Sequence, residues 1–400
     1  MNGIHNARGI WWRSYIPVLI LNAVLLIPQT RRAFIYMGYR WAYVLFLSFA
    51  LSFCLTPIAI WLSNRLGILD RPGARKIHQE ETPLLGGAAV FSAFLAAIMI
   101  NGIYSPKLGA IMTASCLLFA IGVVDDFKEI SNKIKLVVQI ICAVLVMSFG
   151  VVLRVIPDNM GIFSQVGNVT LTLFWLIGIT NAMNFFDGMD GMAAGLGVII
   201  SFFLGIVAFQ TQQPFLGWVA VAMMGSCIGF LPYNLLKKGR AAIFLGDGGS
   251  TVIGFILASV AVYGEWATGS PLKALASPLL IFWVLIFDMV YITVDRIISG
   301  KVATFQQWLD YVGKDHLHHR LAVVLGGQRK SVLFIYLMSI CLGASAVVLR
   351  NARPVDALLL LAQAVGLVAL ITILERRGRS ILHDGEQQHP NCAKTRLGRD

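Results

Sequence analysis

From residue 42 to residue 375 the chain alternates long apolar runs with short polar stretches. A helix that crosses a bilayer needs about 20 mostly apolar residues, fewer where protein surrounds it. Eleven runs meet that demand: roughly 42–62, 86–101, 107–124, 134–153, 169–186, 191–210, 214–233, 248–264, 272–294, 331–350 and 355–375. The expectation is an all-α polytopic membrane protein of about eleven transmembrane helices. Residues 15–29 are apolar but short, contain Pro17 and Pro28, and are flanked by Arg13, Arg31 and Arg32. No clean small-residue cleavage site follows them. A twelfth span there would carry Arg31, Arg32 and Arg40 to the wrong side. Residues 1–41 therefore read as an extension holding an interfacial segment or one extra short helix. Residues 376–400 read as a polar, basic, cytoplasmic tail.

Composition supports the membrane reading: 57% of residues are hydrophobic and 13% charged, against about 25% charged in soluble domains. The net charge of +12 does not point to nucleic acid, because no soluble basic domain carries it. Its distribution orients the array instead. Loops after the odd-numbered spans hold 22 Lys and Arg, and the opposite face holds five. The positive-inside rule makes the first face cytoplasmic. Six cysteines (54, 116, 142, 227, 341 and 392) are scattered without zinc or disulfide spacing, so they read as packing residues.

Every polar motif falls on that cytoplasmic face. Asp125-Asp126 closes the third run. Adjacent carboxylates repel, and a helix C-terminus is already negative. A solvated helix end with Lys128 as partner is the plain alternative; a cation or phosphate site explains the cost better. Asn181, Asn184 and Asp187 recur along one helical face, followed by Asp190. Gly246-Asp247-Gly248-Gly249-Ser250 opens the eighth run, where free backbone N–H groups favour an anion and Asp247 can hold a bridging metal. Phe230-Leu-Pro-Tyr-Asn234 closes the seventh. His316-Leu-His318-His319-Arg320 follows the ninth. Three imidazoles can bind Zn²⁺, but Lys314 and Arg320 beside them suit phosphate better. Arg75-Lys-Ile-His78 serves equally as a positive-inside anchor or a binding element. Together these motifs indicate a nucleoside diphosphate, Mg²⁺ and a lipid-borne second substrate, hence phosphoryl or phospho-sugar transfer at the membrane boundary. A transporter would need ionisable groups at mid-membrane and on both faces. Asp288 is the main deep acid, so transport is the remote alternative.

These motifs resemble those of the polyprenyl-phosphate N-acetylhexosamine-1-phosphate transferases, glycosyltransferase family 4, over roughly residues 42–375. The resemblance rests on Arg75–His78 with Pro83 and Gly86-Gly87, Asp125-Asp126 with Lys135-Leu-Val-Val-Gln139, and Asn-Ala-Met-Asn184-Phe-Phe-Asp187-Gly-Met-Asp190-Gly. It continues through Gly229-Phe-Leu-Pro-Tyr-Asn234, Phe-Leu-Gly-Asp247-Gly-Gly-Ser and His-Leu-His318-His319-Arg-Leu. The His-Leu-His-His form is similar to the branch that makes lipid-linked N-acetylglucosamine. The resemblance implies a multi-pass protein of the bacterial cytoplasmic membrane with its active site facing the cytoplasm. It implies Mg²⁺, with Mn²⁺ as a substitute, and transfer of HexNAc-1-phosphate, foremost GlcNAc-1-phosphate, from a UDP-HexNAc to undecaprenyl phosphate, releasing UMP. GalNAc and 6-deoxy-HexNAc donors are the alternatives. It further implies catalytic roles for Asp125, Asp126, Asp247, His318 and His319, with Asp247 and Asp125 as metal ligands. Lys135, Asn184, Asp187, Asp190, Asn234, His316 and Arg320 are then substrate contacts. The lipid bilayer is a partner, nucleic acid is not, and a homodimer is compatible with this reading. Two features depart from the family: residues 1–41, and about five extra residues around Gln306–Tyr311, expected to bear on sugar recognition.

Overall fold

The computed structural model describes residues 15–70, 81–235, 241–266, 271–311, 313, 315–349, 353, 355, 356, 358–367, 369, 372 and 373. The Arg75–His78 motif, Lys314 and the basic tail lie outside these described residues. The chain is an all-α polytopic membrane protein. Among the described residues the only strands are β1 (Leu69–Asp70) and β2 (Thr82–Pro83), an antiparallel two-residue pair.

Among the described residues seven helices are long and apolar enough to cross a bilayer alone, and two bent pairs raise that to nine. The first bent pair is α1 (Tyr15–Leu25) with α2 (Pro28–Tyr36), turned by 75°. Helix α1 runs antiparallel along α3 (Arg40–Leu66): Asn22 Nδ2 donates to the Ala50 carbonyl at 2.7 Å, and Tyr43 OH donates to the Leu25 carbonyl. Then come α4 (Gly86–Ile100), α5 (Pro106–Phe127), α6 (Asn132–Ser148), α7 (Ile162–Phe185), α8 (Met192–Gln210) and α9 (Pro214–Asn234). They are followed by α10 (Gly246–Tyr263), α11 (Pro271–Ile281), α12 (Trp283–Ile298), α13 (Phe305–Asp310), α14 (Leu317–Leu325), α15 (Gln328–Val348) and the short apolar α16 (Leu358–Leu367).

The run expected as one span over 272–294 is broken by 78° between α11 and α12. Pro278 lies inside α11 but acts on the turn before it, whereas the break falls after it, at Phe282, whose amide still bonds the Pro278 carbonyl. Helices α4 and α6 are shorter than the runs that predict them, at 15 and 17 residues. Helix α4 is largely buried by its neighbours, whereas α6 leaves Ile134, Val137, Ile141 and Val144 exposed.

Helix α10 is the centre of the bundle, packed by α4, α5, α7, α8 and α9. Its glycines make this possible. A Cβ on Gly87 would lie 2.3 Å from the Gly249 Cα, and one on Gly122 would lie 2.3 Å from the Gly248 Cα. Backbones of α4 and α5 therefore press directly on the first turn of α10. In a bilayer, where apolar surface gains little by meeting other apolar surface, such close backbone contact is a main source of helix association. It also brings the C-terminal end of α5, bearing Asp125 and Asp126, to the N-terminal end of α10, bearing Asp247.

Candidate active site

Asp125 and Asp126 are neighbours in sequence but do different work, because successive side chains on a helix point about 100° apart. Asp126 turns to the start of α10: its Oδ1 accepts the Asp247 amide at 2.9 Å and its Oδ2 the Gly248 amide at 3.4 Å. The glycine-rich helix start is thus an anion site, as its free N–H groups require, but the anion is this chain's own Asp126. Gly246 holds φ +77°, a backbone region only glycine enters without strain, so the chain can present both amides.

Asp125 turns the other way. Its Oδ1 accepts the Ile130 amide at 2.7 Å, closing the turn after α5. Its Oδ2 pairs with the Lys135 ammonium, which also bonds Asp247 Oδ2 at 3.0 Å. Asn184 Nδ2 donates to the second oxygen of Asp247 at 3.1 Å and to Ser250 Oγ at 3.0 Å. Four helices, α5, α6, α7 and α10, thereby each send one group to a single point. The point borders a cavity of about 30 Å³ lined by Asp125, Lys135, Gln139, Asn181, Asn184 and Asp247, with Leu118 and Ile121 as apolar wall. Asp247 keeps 39% and Lys135 29% of its side-chain surface exposed, so the cluster opens outward.

Gln139 and Asn181 lie one turn deeper, as a reciprocal amide pair at 3.1 and 2.7 Å. Gln139 stands four residues after Lys135 and Asn181 three before Asn184, the helical spacings that place side chains on one face. That spacing was the available signal for both, and for Gln139 the sequence reading drew no role from it.

Asp187 sits where α7 ends in the turn Phe186–Gly188, within electrostatic range of Asp247, Asp126 and Asp190, and takes the Gly246 amide. Asp190 Oδ2 accepts the Ala241 amide at 3.1 Å. Asn234 is buried and its amide is spent on the protein, accepting from the Gly191 amide at 2.7 Å and donating to the Ile243 carbonyl at 2.9 Å. These three residues, expected as substrate contacts, tie the loops before α8 and α10 together. Asp187 alone of the three faces the Asp247 cluster.

The histidines form a second cluster on the same turn. His316 Nδ1 meets Asp288 Oδ2 at 2.8 Å, and Asp288 Oδ1 accepts the Leu317 amide at 2.7 Å. Arg320 lies 3.8 Å from the same carboxylate and 4.2 Å over the Tyr291 ring. Asp288, 1% exposed, thus anchors the first turn of α14. His316 stacks on Phe185 at 4.8 Å, and His318 packs against Phe186 at 5.3 Å. His316 and Arg320, expected to touch substrate, are buried and held by Asp288 and Tyr291. His318 is fully buried with neither ring nitrogen hydrogen-bonded, and burial, then the neighbouring His319, His316 and Arg320, holds it well below the ordinary imidazole value of 6.5. His319, only partly buried, lies with its ring 4.2 Å from His318 and its Nε2 near Gly188.

The extra segment is anchored too. Thr304 and Gln307 cap α13 reciprocally, and Trp308 Nε1 donates to Thr293 Oγ1 at 3.2 Å. Arg296 grips Asp315 with two bonds of 2.8 Å and stacks on Tyr311 at 4.3 Å. Burial works against the Asp315 carboxylate, but the Arg296 fork outweighs it and holds the group below its usual range.

Among the described residues no group of three or more His, Cys, Asp or Glu forms a metal cage. Asp125 and Asp247 do converge on one cation, the Lys135 ammonium. Mg²⁺ takes one or two carboxylates and completes its shell with water and phosphate oxygens, and this pair fits that donor set.

A multi-pass helical membrane protein that gathers carboxylates, an ammonium and amides at the ends of its spans is a membrane-boundary enzyme by class. The sequence profile of glycosyl transferase family 4 matches residues 108–265, the stretch that runs from α5 to the end of α10. The chain is 31% identical over 309 residues to the probable undecaprenyl-phosphate N-acetylglucosaminyl 1-phosphate transferase of Bacillus subtilis strain 168, covering 74% of this chain and 82% of that protein. It is 32% identical over 351 residues to the decaprenyl-phosphate N-acetylglucosaminephosphotransferase of Mycobacterium tuberculosis H37Rv, 79% and 85% of the two chains. It is 28% identical over 297 residues to the undecaprenyl-phosphate alpha-N-acetylglucosaminyl 1-phosphate transferase of Escherichia coli K12, 72% and 77%. The chain belongs to glycosyl transferase family 4.

Proposed function

We propose that this protein transfers GlcNAc-1-phosphate from UDP-GlcNAc to a polyprenyl phosphate, undecaprenyl phosphate by preference, and releases UMP on the cytoplasmic face of the membrane. The observation that carries the reading is the convergence of Asp125 and Asp247 on one cation beside a cavity at the ends of four helices. The names of the relatives support the sugar and the lipid class.

In this reading Asp247 and Asp125 hold Mg²⁺, which when bound neutralises the diphosphate and the departing UMP. The lipid phosphate has a second pKa of about 6 and arrives largely as a dianion, so it needs positioning more than a strong base. Its oxygen forms a bond to the sugar-bearing phosphorus of the donor, and the bond from that phosphorus to the UMP oxygen breaks. Lys135 balances charge developing between the two substrates. Asp125 orients the incoming phosphate and takes any residual proton. Asp126 acts at one remove, fixing the backbone that presents Asp247. Asn184 keeps one Asp247 oxygen engaged so that the other faces the cavity. His319, the less buried of the adjacent imidazoles, is the one disposed to meet a phosphate.

The variant of this reading is the same chemistry with another UDP-HexNAc, such as a GalNAc or 6-deoxy donor. The test offers purified full-length protein, Mg²⁺ and undecaprenyl phosphate a panel of UDP-sugars while UMP release is followed. UDP-GlcNAc is expected to give the fastest release. Faster release from another UDP-HexNAc moves the sugar assignment, and no release from any donor rejects the function.

A further inference from the structure

Arg31 and Arg32 stand against the charge pattern of the rest of the chain. Helix α3 runs from Arg40 to Leu66, and its Leu66 end leads through β1 and β2 to Gly86, whose amide bonds the Phe244 carbonyl beside the aspartate cluster. Arg40 and the Ile100 end of α4 therefore lie at the opposite membrane face, and Arg31 and Arg32 lie with them. There the two arginines and Tyr43 line a cavity of about 360 Å³, walled by Leu26, Ile35 and Ile100.

Arg40 is engaged, donating to the Asn101 carbonyl and lying 4.0 Å over the Trp218 ring, though its Nε is buried with no hydrogen bond. Arg31 and Arg32 are not: among the described residues neither has an ion-pair partner. The Arg31 Nε is buried with no hydrogen bond. Two guanidiniums beside a third, with no carboxylate answering them, call for an anion, and a planar guanidinium fork suits phosphate oxygens.

The depth of the cavity says which phosphate. Tyr36, Tyr39 and Trp41 are 94%, 54% and 44% exposed around the elbow. Tyr and Trp gather at the headgroup level of a bilayer, and the 75° bend lays α2 across α1 there. Apolar walls on one side and arginines on the other match an amphiphile, whereas a free phosphate would make no use of Leu26, Ile35 and Ile100. We propose that the α1–α2 elbow seats the phosphodiester headgroup of an anionic phospholipid on the membrane face opposite the aspartate cluster. The site holds structural lipid and takes no part in the transfer reaction.

Native mass spectrometry of the full-length protein in neutral detergent tests this, with phosphatidylglycerol and phosphatidylcholine supplied equally. Wild type should retain phosphatidylglycerol preferentially. The double variant R31Q/R32Q should weaken that retention about thirtyfold, the effect of two juxtamembrane basic residues. R65Q, at the far end of α3 over the Trp61 ring, should leave it unchanged. Equal retention of the two lipids by wild type would overturn the proposal even if R31Q/R32Q failed to fold. So would wild-type retention by a folded R31Q/R32Q. Displacement of the lipid by an equal concentration of free glycerol phosphate would overturn the lipid source. None of these readouts depends on UMP release, so failure here is distinct from failure of the proposed function.

Discussion

The aspartate cluster and the histidine cluster meet at one turn, Phe186–Gly188, yet they are built in opposite ways. Around Asp247 and Lys135 the charges are partly exposed and border a cavity, and the more deeply set Asp125 shares the same ammonium. Around Asp288 they are sealed: His316 is 8% and Asp288 1% exposed in their side chains, and two bonds lock the first turn of α14. Excess negative charge held open is arranged for an incoming cation, at some cost to stability. Charge paired in the interior is arranged for position. Two clusters of ionisable residues, alike in sequence, thus divide into one that receives a ligand and one that holds a loop in place.

The largest expected effect on stability lies in the sealed cluster. Asp288→Ala leaves His316 and the Leu317 amide without their shared acceptor and Arg320 without the nearby charge, and breaking a buried pair from one side costs about 3–5 kcal/mol. Thermal unfolding in detergent should show a large drop in Tm; an unchanged Tm would break the distinction between the clusters. Next comes the helix contact that builds the open cluster. Gly122→Ala puts a Cβ on the backbone of Gly248, an overpacking that costs about 1–3 kcal/mol, and it should depress turnover by separating Asp125 from Asp247.

Acid distinguishes the clusters further. His318 is neutral in the fold because its pKa lies well below 6.5. The unfolded chain titrates near 6.5 and so binds the extra proton first as pH falls. Stability from this group is complete above that value. It is lost on acidification by about 1.4 kcal/mol per pH unit, until the folded-state pKa is reached. His318→Phe should flatten that part of the Tm-against-pH curve below 6.5; an unaltered slope would place the titration elsewhere. The smallest effect is expected at the floor of the cavity. Asn181→Ala removes one reciprocal amide pair, worth about 1 kcal/mol, and should move KM and kcat only modestly.

Much of the open cluster was legible in the sequence because its residues end or begin apolar runs, where a carboxylate is conspicuous. Asp125, Asp247 and Asn184 stand out that way. The division of labour within Asp125-Asp126 was not legible, since it depends on which side of α5 meets α10. Nor was the occupant of the glycine-rich turn: Gly246–Gly249 announces an anion site, but that Asp126, 121 residues earlier, fills it is a tertiary fact. Asp288 drew notice only as a deep acid, because its partner His316 is 28 residues away across a loop. The break at Phe282 was not legible, because the hydrophobicity of residues 272–294 is continuous across it. The α1–α2 elbow was visible only as a puzzle, three arginines on a face expected to carry few.

The most direct test of the account is turnover and Tm measured together on Asp247→Asn. The substitution keeps the side chain's size and removes the charge that answers the cation. UMP release should fall by at least about a thousandfold, the scale of losing a principal electrostatic contact, at every Mg²⁺ concentration. The Tm should change little, because the weakened Lys135 and Asn184 bonds are offset by relief of repulsion with Asp126 and Asp187. Near-normal UMP release from a folded Asp247→Asn protein would contradict the account.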